Sequence, residues 1–267
     1  MRGSETTAGA TPLLSPRAAI RPHSITTGEP SDDHRIRPPV RSGPVRSGPV
    51  RSEPVRSLGP EKNLAAAASA RLVEDGMVVG LGTGSTVAFL LPALAARGLT
   101  LRCVATSKRT EAAARSLGLR VEPFGAIEHF DIAIDGADQI TPDGWLIKGG
   151  GAAHTREKIV AATSDRFVII ADSSKPVVAL HAPVPVELLE FGLASTMRRL
   201  APIRLRDVPR SPDGGVIADY HGSLDDIEAA AGLLSRTAGL VEHGLFPPAL
   251  VSDIIVATGD QVHHRSL

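Results

Sequence analysis

The residue types best suited to chemistry cluster between Asp135 and Lys158. Asp135-Gly136-Ala137-Asp138 follows the apolar run Ile132–Ile134, so two carboxylates around a permissive glycine should emerge at a strand's C-terminal end. Carboxylates placed there can accept hydrogen bonds from sugar hydroxyls, assist ring opening or hold a divalent cation. Aspartates of an ordinary turn would read the same way. Next comes Lys148-Gly149-Gly150-Gly151. Three glycines ahead of a helix-forming run carry an entropy cost, which points to something that approaches the backbone closely. A cation beside free glycine amides could stabilise an oxyanion or a developing enediolate, and a flexible linker is the alternative. Thr155-Arg156-Glu157-Lys158 then opens a helix. Glu157 is the best candidate general base within reach of the triglycine, although a helical Glu between Arg and Lys is by default a surface ion-pair residue. His154 is a second acid/base candidate, but a lone His beside a helix start usually has a structural role.

Upstream, Gly80-Leu81-Gly82-Thr83-Gly84-Ser85-Thr86 combines glycines, hydroxyls and a helix N-terminus after a strand. Thr83, Gly84, Ser85 and Thr86 offer hydroxyls and backbone N–H groups suited to a phosphate. The third glycine of a dinucleotide fingerprint is missing, and no Gly-Lys-Ser/Thr of a P-loop follows. Lys175, after Asp172-Ser173-Ser174, and Lys62 are cations that could meet a phosphate or lie in solvent. No His or Cys stands at ligand spacing beside the carboxylates, and no metal is expected, although this spacing does not by itself exclude Mg²⁺.

Positioning these groups requires strands that end together. A helix is expected over 61–76, ending at Gly76, then a strand over Met77–Leu81 and a helix over Ser85–Arg97. A strand at Leu101–Ala105, a helix at Arg109–Leu117, and strands at Leu119–Glu122 and Phe130–Ile134 continue the alternation. Such alternation implies a parallel sheet with helices on both faces. Beyond Asp172 the order becomes strand (Val184–Leu188), helix (Leu193–Leu200), strands (Ile203–Val208 and Gly215–Asp219), helix (Leu224–Ser235) and strand (Leu240–His243). That βαββαβ order is the split arrangement of a small ferredoxin-like domain. The run Ile254–Ala257 should return to the first sheet. The expected fold is therefore α/β, a Rossmann-like parallel-sheet domain (61–183, completed by 247–267) with a smaller ferredoxin-like α+β domain (184–246).

Composition sets residues 1–60 apart. Ten of the 21 prolines fall there, and Pro39 to Ser57 repeats Pro-Val-Arg-Ser-Gly with little change. Such a segment buries too little apolar surface to offset its ordering entropy, so a disordered or polyproline-like tail is expected. The remainder carries 20 basic and 24 acidic residues, which argues against a nucleic-acid surface. Cys103 is the only cysteine, so neither a disulfide framework nor a cysteine metal site is available, and a reducing cytoplasm fits. No apolar run is long enough to span a membrane, and no secretion signal is visible; the Arg- and Ser-containing tail leaves a transit peptide open.

Taken in order, these segments resemble the ribose-5-phosphate isomerase family of the A type, over essentially all of residues 61–260. The resemblance rests on Gly82-Thr83-Gly84-Ser85-Thr86, Asp135-Gly136-Ala137-Asp138, Lys148 to Ala153, Thr155 to Ile159, Asp172-Ser173-Ser174-Lys175 and His243-Gly244-Leu245-Phe246. It implies cofactor-free interconversion of D-ribose 5-phosphate and D-ribulose 5-phosphate through an enediolate, in the non-oxidative pentose phosphate pathway, by a cytoplasmic homodimer or homotetramer. It also implies that Glu157 shuttles the proton between C2 and C1, while Asp135, Asp138 and Lys148 manage ring opening and hydroxyl protons and stabilise the enediolate. Thr83 to Thr86, Gly136, Ala137, Gly149 to Gly151, Lys175 and Lys62 would hold the substrate and its phosphate. Gln139 stands where the family commonly has an acidic residue, which removes a charge near the site. The alternatives are a related sugar-phosphate deaminase, a CoA-transferase-like protein, or a sugar-phosphate-sensing regulatory module. The last should carry a helix-turn-helix that the Pro-rich tail cannot form.

Overall fold

The computed structural model describes residues 57–125 and 127–267. The tail expected to be disordered lies outside the described residues as far as residue 56. In chain order the elements are α1 (Gly59–Ala70), β1 (Val78–Leu81), α2 (Val87–Ala95), β2 (Arg102–Ala105), α3 (Lys108–Ser116), β3 (Ile132–Asp135), β4 (Gln139–Ile140) and β5 (Leu146–Ile147). Then come α4 (His154–Ala162), β6 (Phe167–Asp172), β7 (Val184–Leu188), α5 (Leu193–Arg199), β8 (Ile203–Leu205), β9 (Val216–Tyr220), α6 (Ile227–Arg236) and β10 (Leu240–His243). The chain closes with β11 (Leu245–Phe246), a 3₁₀ turn (Pro248–Leu250), β12 (Asp253–Thr258) and β13 (Gln261–Ser266).

The main sheet has the order β13-β12-β6-β3-β1-β2, parallel throughout except for the edge hairpin of β12 and β13. Its central strands β3 and β6 are buried on both faces, as the inner strands of a parallel sheet must be. Ile132, Ile134, Val168 and Ile170 pack with Ala65, Ala66, Leu90 and Leu94 of α1 and α2. The intervening Ala133, Phe167, Ile169 and Ala171 pack with Val160 and Ala161 of α4. Strand order reverses direction between β1 and β3, and the crevice beyond the carboxyl ends of those two strands is where such sheets bind ligands. Gly82 to Thr86 follow β1 and Asp135 ends β3, so the two candidate segments meet there.

The second sheet, β10-β7-β9-β8, is antiparallel at every pairing. Its βαββαβ path is the ferredoxin-like arrangement, with Leu200, Ala230 and Leu234 from its helical side packed on Val186, Leu188 and Ala218. A third sheet, β11-β5-β4, was not foreseen: its two-residue strands are too short to show a period. It matters for the site, because Asp138 directly precedes β4 and Lys148 directly follows β5.

Three boundaries differ from expectation. Helix α1 includes Gly59 and Pro60, proline being well tolerated in a first turn, and it stops before Gly76 because Arg97 donates to the carbonyls of Ala70 and Val73. The segment Leu119–Glu122 makes only a single bridge, Cys103 with Val121, before Pro123, which has no N–H to continue a ladder. Strand β13 was missed because it is polar and exposed, and it exists through its pairing with β12.

Close packing of α4 on the sheet depends on Gly80, where an added Cβ would lie 2.5 Å from Val160 Cγ1 and 2.8 Å from the Ala133 Cβ. Gly80→Ala should therefore lower unfolding free energy by about 1–3 kcal/mol, the usual penalty for overpacking a core. Urea denaturation measures it, and an unchanged midpoint would show that α4 can shift freely.

Candidate active site

At the carboxyl end of β1 and β3 lies a cleft of about 190 Å³. That is below the roughly 300–1,000 Å³ of sites for drug-sized ligands, so its occupant is small. It is lined by Thr83 to Thr86, Gly136 to Asp138, Lys148 to Gly151, Glu157 and Lys175. The structure thus brings together five separate segments of the chain. Asp135 lies against this lining and Lys62 sits at its edge, its Nζ donating to Ser85 Oγ at 2.8 Å.

The cleft is organised around a buried ion cluster. Lys148 Nζ is 2.8 Å from Asp135 Oδ2 and 3.2 Å from Glu157 Oε2, and all three side chains are almost fully buried. The same ammonium donates to the Gly136 carbonyl. The second oxygen of Asp135 accepts the N–H of Thr83 at 3.0 Å and of Gly136 at 2.7 Å. A Cβ at position 82 would fall 1.9 Å from Asp135 Cγ, so only glycine leaves room for this carboxylate. Glu157 Oε2 is buried and accepts no hydrogen bond, and the nearby Nζ acts on it through charge attraction.

Two carboxylates share one ammonium among side chains that are almost fully buried, and their titration reflects it. Burial pushes Glu157 up to about 8; the Asp135 charge adds to the rise and Lys148 opposes it. Burial also raises Asp135, against the pull of Lys148 and the two N–H donors. For Lys148 burial favours the neutral amine, but Asp135 and Glu157 outweigh it, so its pKa is raised and the ammonium persists. Asp138 is different: it is exposed at the mouth of the cleft, its Oδ2 accepting the Gly150 N–H at 2.8 Å.

The opposite side of the cleft offers anion donors. Thr83 Oγ1 shares a 2.8 Å hydrogen bond with Thr106 Oγ1, and Gly84 takes φ +136° before α2 begins. Ala88 and Phe89 donate to the Gly84 and Thr86 carbonyls, so the turn ahead of them lies at the positive dipole end of α2. The lysines are set by two buried acids. Glu61 accepts from Ser173 N–H at 2.9 Å and Gly259 N–H at 2.8 Å, tying α1 to the loop that bears Lys175. Asp172 Oδ2, buried without a hydrogen bond, lies 3.8 Å from Lys62 Nζ. Glu61 gives no signal in the sequence, since one acid on a helix beside a lysine looks like a solvated face.

Other candidates fall outside the cleft. His154 is wholly buried, its Nδ1 without a hydrogen bond, and burial lowers its pKa to about 4, so it packs as a neutral ring beneath Gly149. Gln139 clips the chain at His181, accepting its N–H at 2.9 Å and donating to its carbonyl at 2.8 Å. An acid could make only the first of these, so this residue serves a local staple. Among the described residues one group has metal-ligand spacing, His129, Asp131 and Asp165. It lies by the starts of β3 and β6, at the other end of the sheet from the cleft.

Anion donors facing buried acid/base groups across a small cleft define the class, an α/β enzyme that moves protons on a small anionic molecule. The profile of the ribose 5-phosphate isomerase A (phosphoriboisomerase A) family matches residues 102–261. A protein called ribose-5-phosphate isomerase A in Caulobacter vibrioides (strain NA1000 / CB15N) is 45% identical over 222 residues, covering 77% of this chain and 97% of that protein. The crystal structure of ribose 5 phosphate isomerase A from Neisseria gonorrhoeae superimposes with a TM-score of 0.75 at 31% identity, over 79% of this chain and 97% of that one. A D-ribose-5-phosphate isomerase solved in complex with phospho-erythronic acid gives 0.74 at 29% identity, over 79% and 100%. The chain belongs to the ribose-5-phosphate isomerase A family.

If the ionised Glu157 cluster is the working base, kcat/KM should rise with pH through an apparent value near 8. Replacing Lys148 by Met removes the charge that favours the ionised carboxylate, so the rise should move to higher pH. Its residual activity or the carboxylate's NMR titration would report this, and an unmoved limb would contradict the electrostatic coupling.

Proposed function

We infer that this chain interconverts D-ribose 5-phosphate and D-ribulose 5-phosphate, an aldose–ketose isomerisation of the non-oxidative pentose phosphate pathway. The observation that carries this is the 45% identity with the Caulobacter isomerase across 97% of its length. The phosphorylated sugar acid bound by one structural neighbour supports a sugar phosphate as the substrate class. These likenesses favour neither the sensing module nor the deaminase.

The residue roles are our proposal. The phosphate is held by Thr83 to Thr86 with Lys175 and Lys62, and Gly136, Ala137 and Gly149 to Gly151 close around the sugar. Asp138, open to solvent, takes the anomeric hydroxyl proton and returns it to the ring oxygen, so the ring opens to the aldehyde with no net change in protons. In the open aldehyde Glu157 removes the C2 proton, and electrons move through C1–C2 onto O1, giving an enediolate. Glu157 returns the proton to C1 while the O2 hydroxyl proton passes to O1, leaving the ketose. Burial is what makes Glu157 a strong base once ionised, and Lys148, kept charged by Asp135, offsets the enediolate charge. Phosphate binding away from the reacting carbons orients the sugar for this transfer. We also propose that 61–183 with 247–267 forms the catalytic domain, 184–246 a smaller one, and that the protein assembles as a homodimer or homotetramer in the cytoplasm. No described helix is long and apolar enough to cross a membrane.

Purified protein should interconvert the two pentose phosphates equally with and without a chelator. Glu157→Gln should lower kcat about 10²- to 10⁴-fold, the usual worth of a positioned base, with little change in substrate affinity. Full turnover in that variant would exclude Glu157 as the base. Light scattering during size-exclusion chromatography tests assembly, and a monomer mass at micromolar concentration would exclude it.

A further inference from the structure

The triglycine loop is gripped from a side that the proposed chemistry does not use. Arg206, just after β8 in the ferredoxin-like sheet, donates from Nη1 to the Gly149 carbonyl at 2.9 Å. Its guanidinium is fixed by Asp219 on β9, to which Nε donates at 3.1 Å and Nη2 also donates. Arg206 does not line the cleft. The peptide it holds does. The carbonyl of Gly149 and the N–H of Gly150 belong to one planar trans unit and point in opposite directions. The N–H end of that unit donates to Asp138 Oδ2 at 2.8 Å.

Apart from its hydrogen bonds the peptide has little to hold its orientation. Gly149 has φ +107° and Gly150 follows it, so neither residue resists a peptide flip through side-chain sterics. The loop's own restraint is a single hydrogen bond, Ala152 N–H to the Gly149 carbonyl at 3.0 Å. Arg206 supplies the second and charge-assisted contact, on an arm that Asp219 holds rigid. A cation on the carbonyl also polarises the unit, which strengthens the Gly150 N–H as a donor.

We propose that Arg206 is a positioning residue for the isomerisation: it acts through the Gly149–Gly150 peptide to orient Asp138. This rests on the reading of Asp138 as an acid/base group, and it gives the ferredoxin-like sheet a part in the catalytic geometry. Asp219 belongs to the same device as the buttress of the guanidinium.

A double-mutant cycle in the full chain tests it. Arg206→Ala should lower kcat about 10- to 100-fold, the range expected when a charge-assisted hydrogen bond is lost, and KM should change less than kcat. In an Asp138→Asn background the same substitution should cost at most about 3-fold, because its target is already gone. Arg206→Lys should fall between, since one ammonium cannot serve both Asp219 and Gly149. Added guanidinium at non-denaturing concentration should restore part of the Arg206→Ala activity. A full, additive loss in the Asp138→Asn background would overturn the proposal, as would a loss confined to KM. If Arg206→Ala is too unstable to assay, Arg206→Lys in the same cycle decides by the same criterion. An Asp138→Asn enzyme with undiminished kcat would overturn the reading of Asp138 and this proposal together.

Discussion

A lysine held charged in the interior by two carboxylates is the constraint on which the rest of this structure depends. Removing one partner from a buried ion pair typically costs about 3–5 kcal/mol, because the other charge is left without water or counter-charge. Lys148, Asp135 and Glu157 come from the loop after β5, the end of β3 and the first turn of α4. Their attraction therefore fixes three elements against one another. Gly82 must lack a side chain for Asp135 to fit, and the amides of Thr83 and Gly136 must face its free oxygen. The cluster is also unbalanced, with two acids and one base, and that imbalance in a low-dielectric site lifts Glu157 out of the carboxylate range. One arrangement thus supplies rigidity and basicity together.

The division of labour across the cleft follows from sheet topology. In a parallel sheet every strand ends on the same edge, so loops distant in sequence converge there. The anion donors come after β1, the paired aspartates after β3 and Lys175 after β6, while α1 contributes Lys62 from beside β6 and β12. Glu61 ties α1 to the loop that bears Lys175, and Asp172 lies beside Lys62.

The ferredoxin-like sheet is tied to α4 by polar contacts on several sides. Thr155 donates to the buried Glu187 of β7, which also accepts from Ser211, and Arg156 pairs with Asp213 through two 2.7 Å hydrogen bonds. Lys158 donates to Glu242 and to the His243 carbonyl, both at 2.6 Å. Three of the residues flanking Glu157 therefore face the smaller sheet, which leaves Glu157 itself turned toward Lys148. The charged run that reads as a solvated helix face is a seam between two sheets.

Much of this was legible in the chain. Alternating apolar runs and glycine-punctuated turns marked most strands and helices to within a few residues, because those signals are local and repeat at the period of each element. The segments that line the cleft were also visible, since clustered glycines and paired carboxylates are uncommon without a ligand or a tight turn to explain them. What the sequence could not decide was which ionisable groups are buried. Glu157 sits between Arg156 and Lys158 and has the pattern of a surface ion pair, whereas tertiary packing buries it against Lys148 and turns its neighbours toward the ferredoxin-like sheet. The sheet of β4, β5 and β11, the capture of Gln139 by His181 and the reach of Arg206 to Gly149 were likewise hidden. Each is a pairing of residues far apart in the chain, and such pairings depend on how sheets pack rather than on local periodicity. Residue types and their spacing supply the groups available for acid/base and anion chemistry. Packing between distant segments settles which of them lose their water, and that loss is what lifts the Glu157 carboxyl up to about 8.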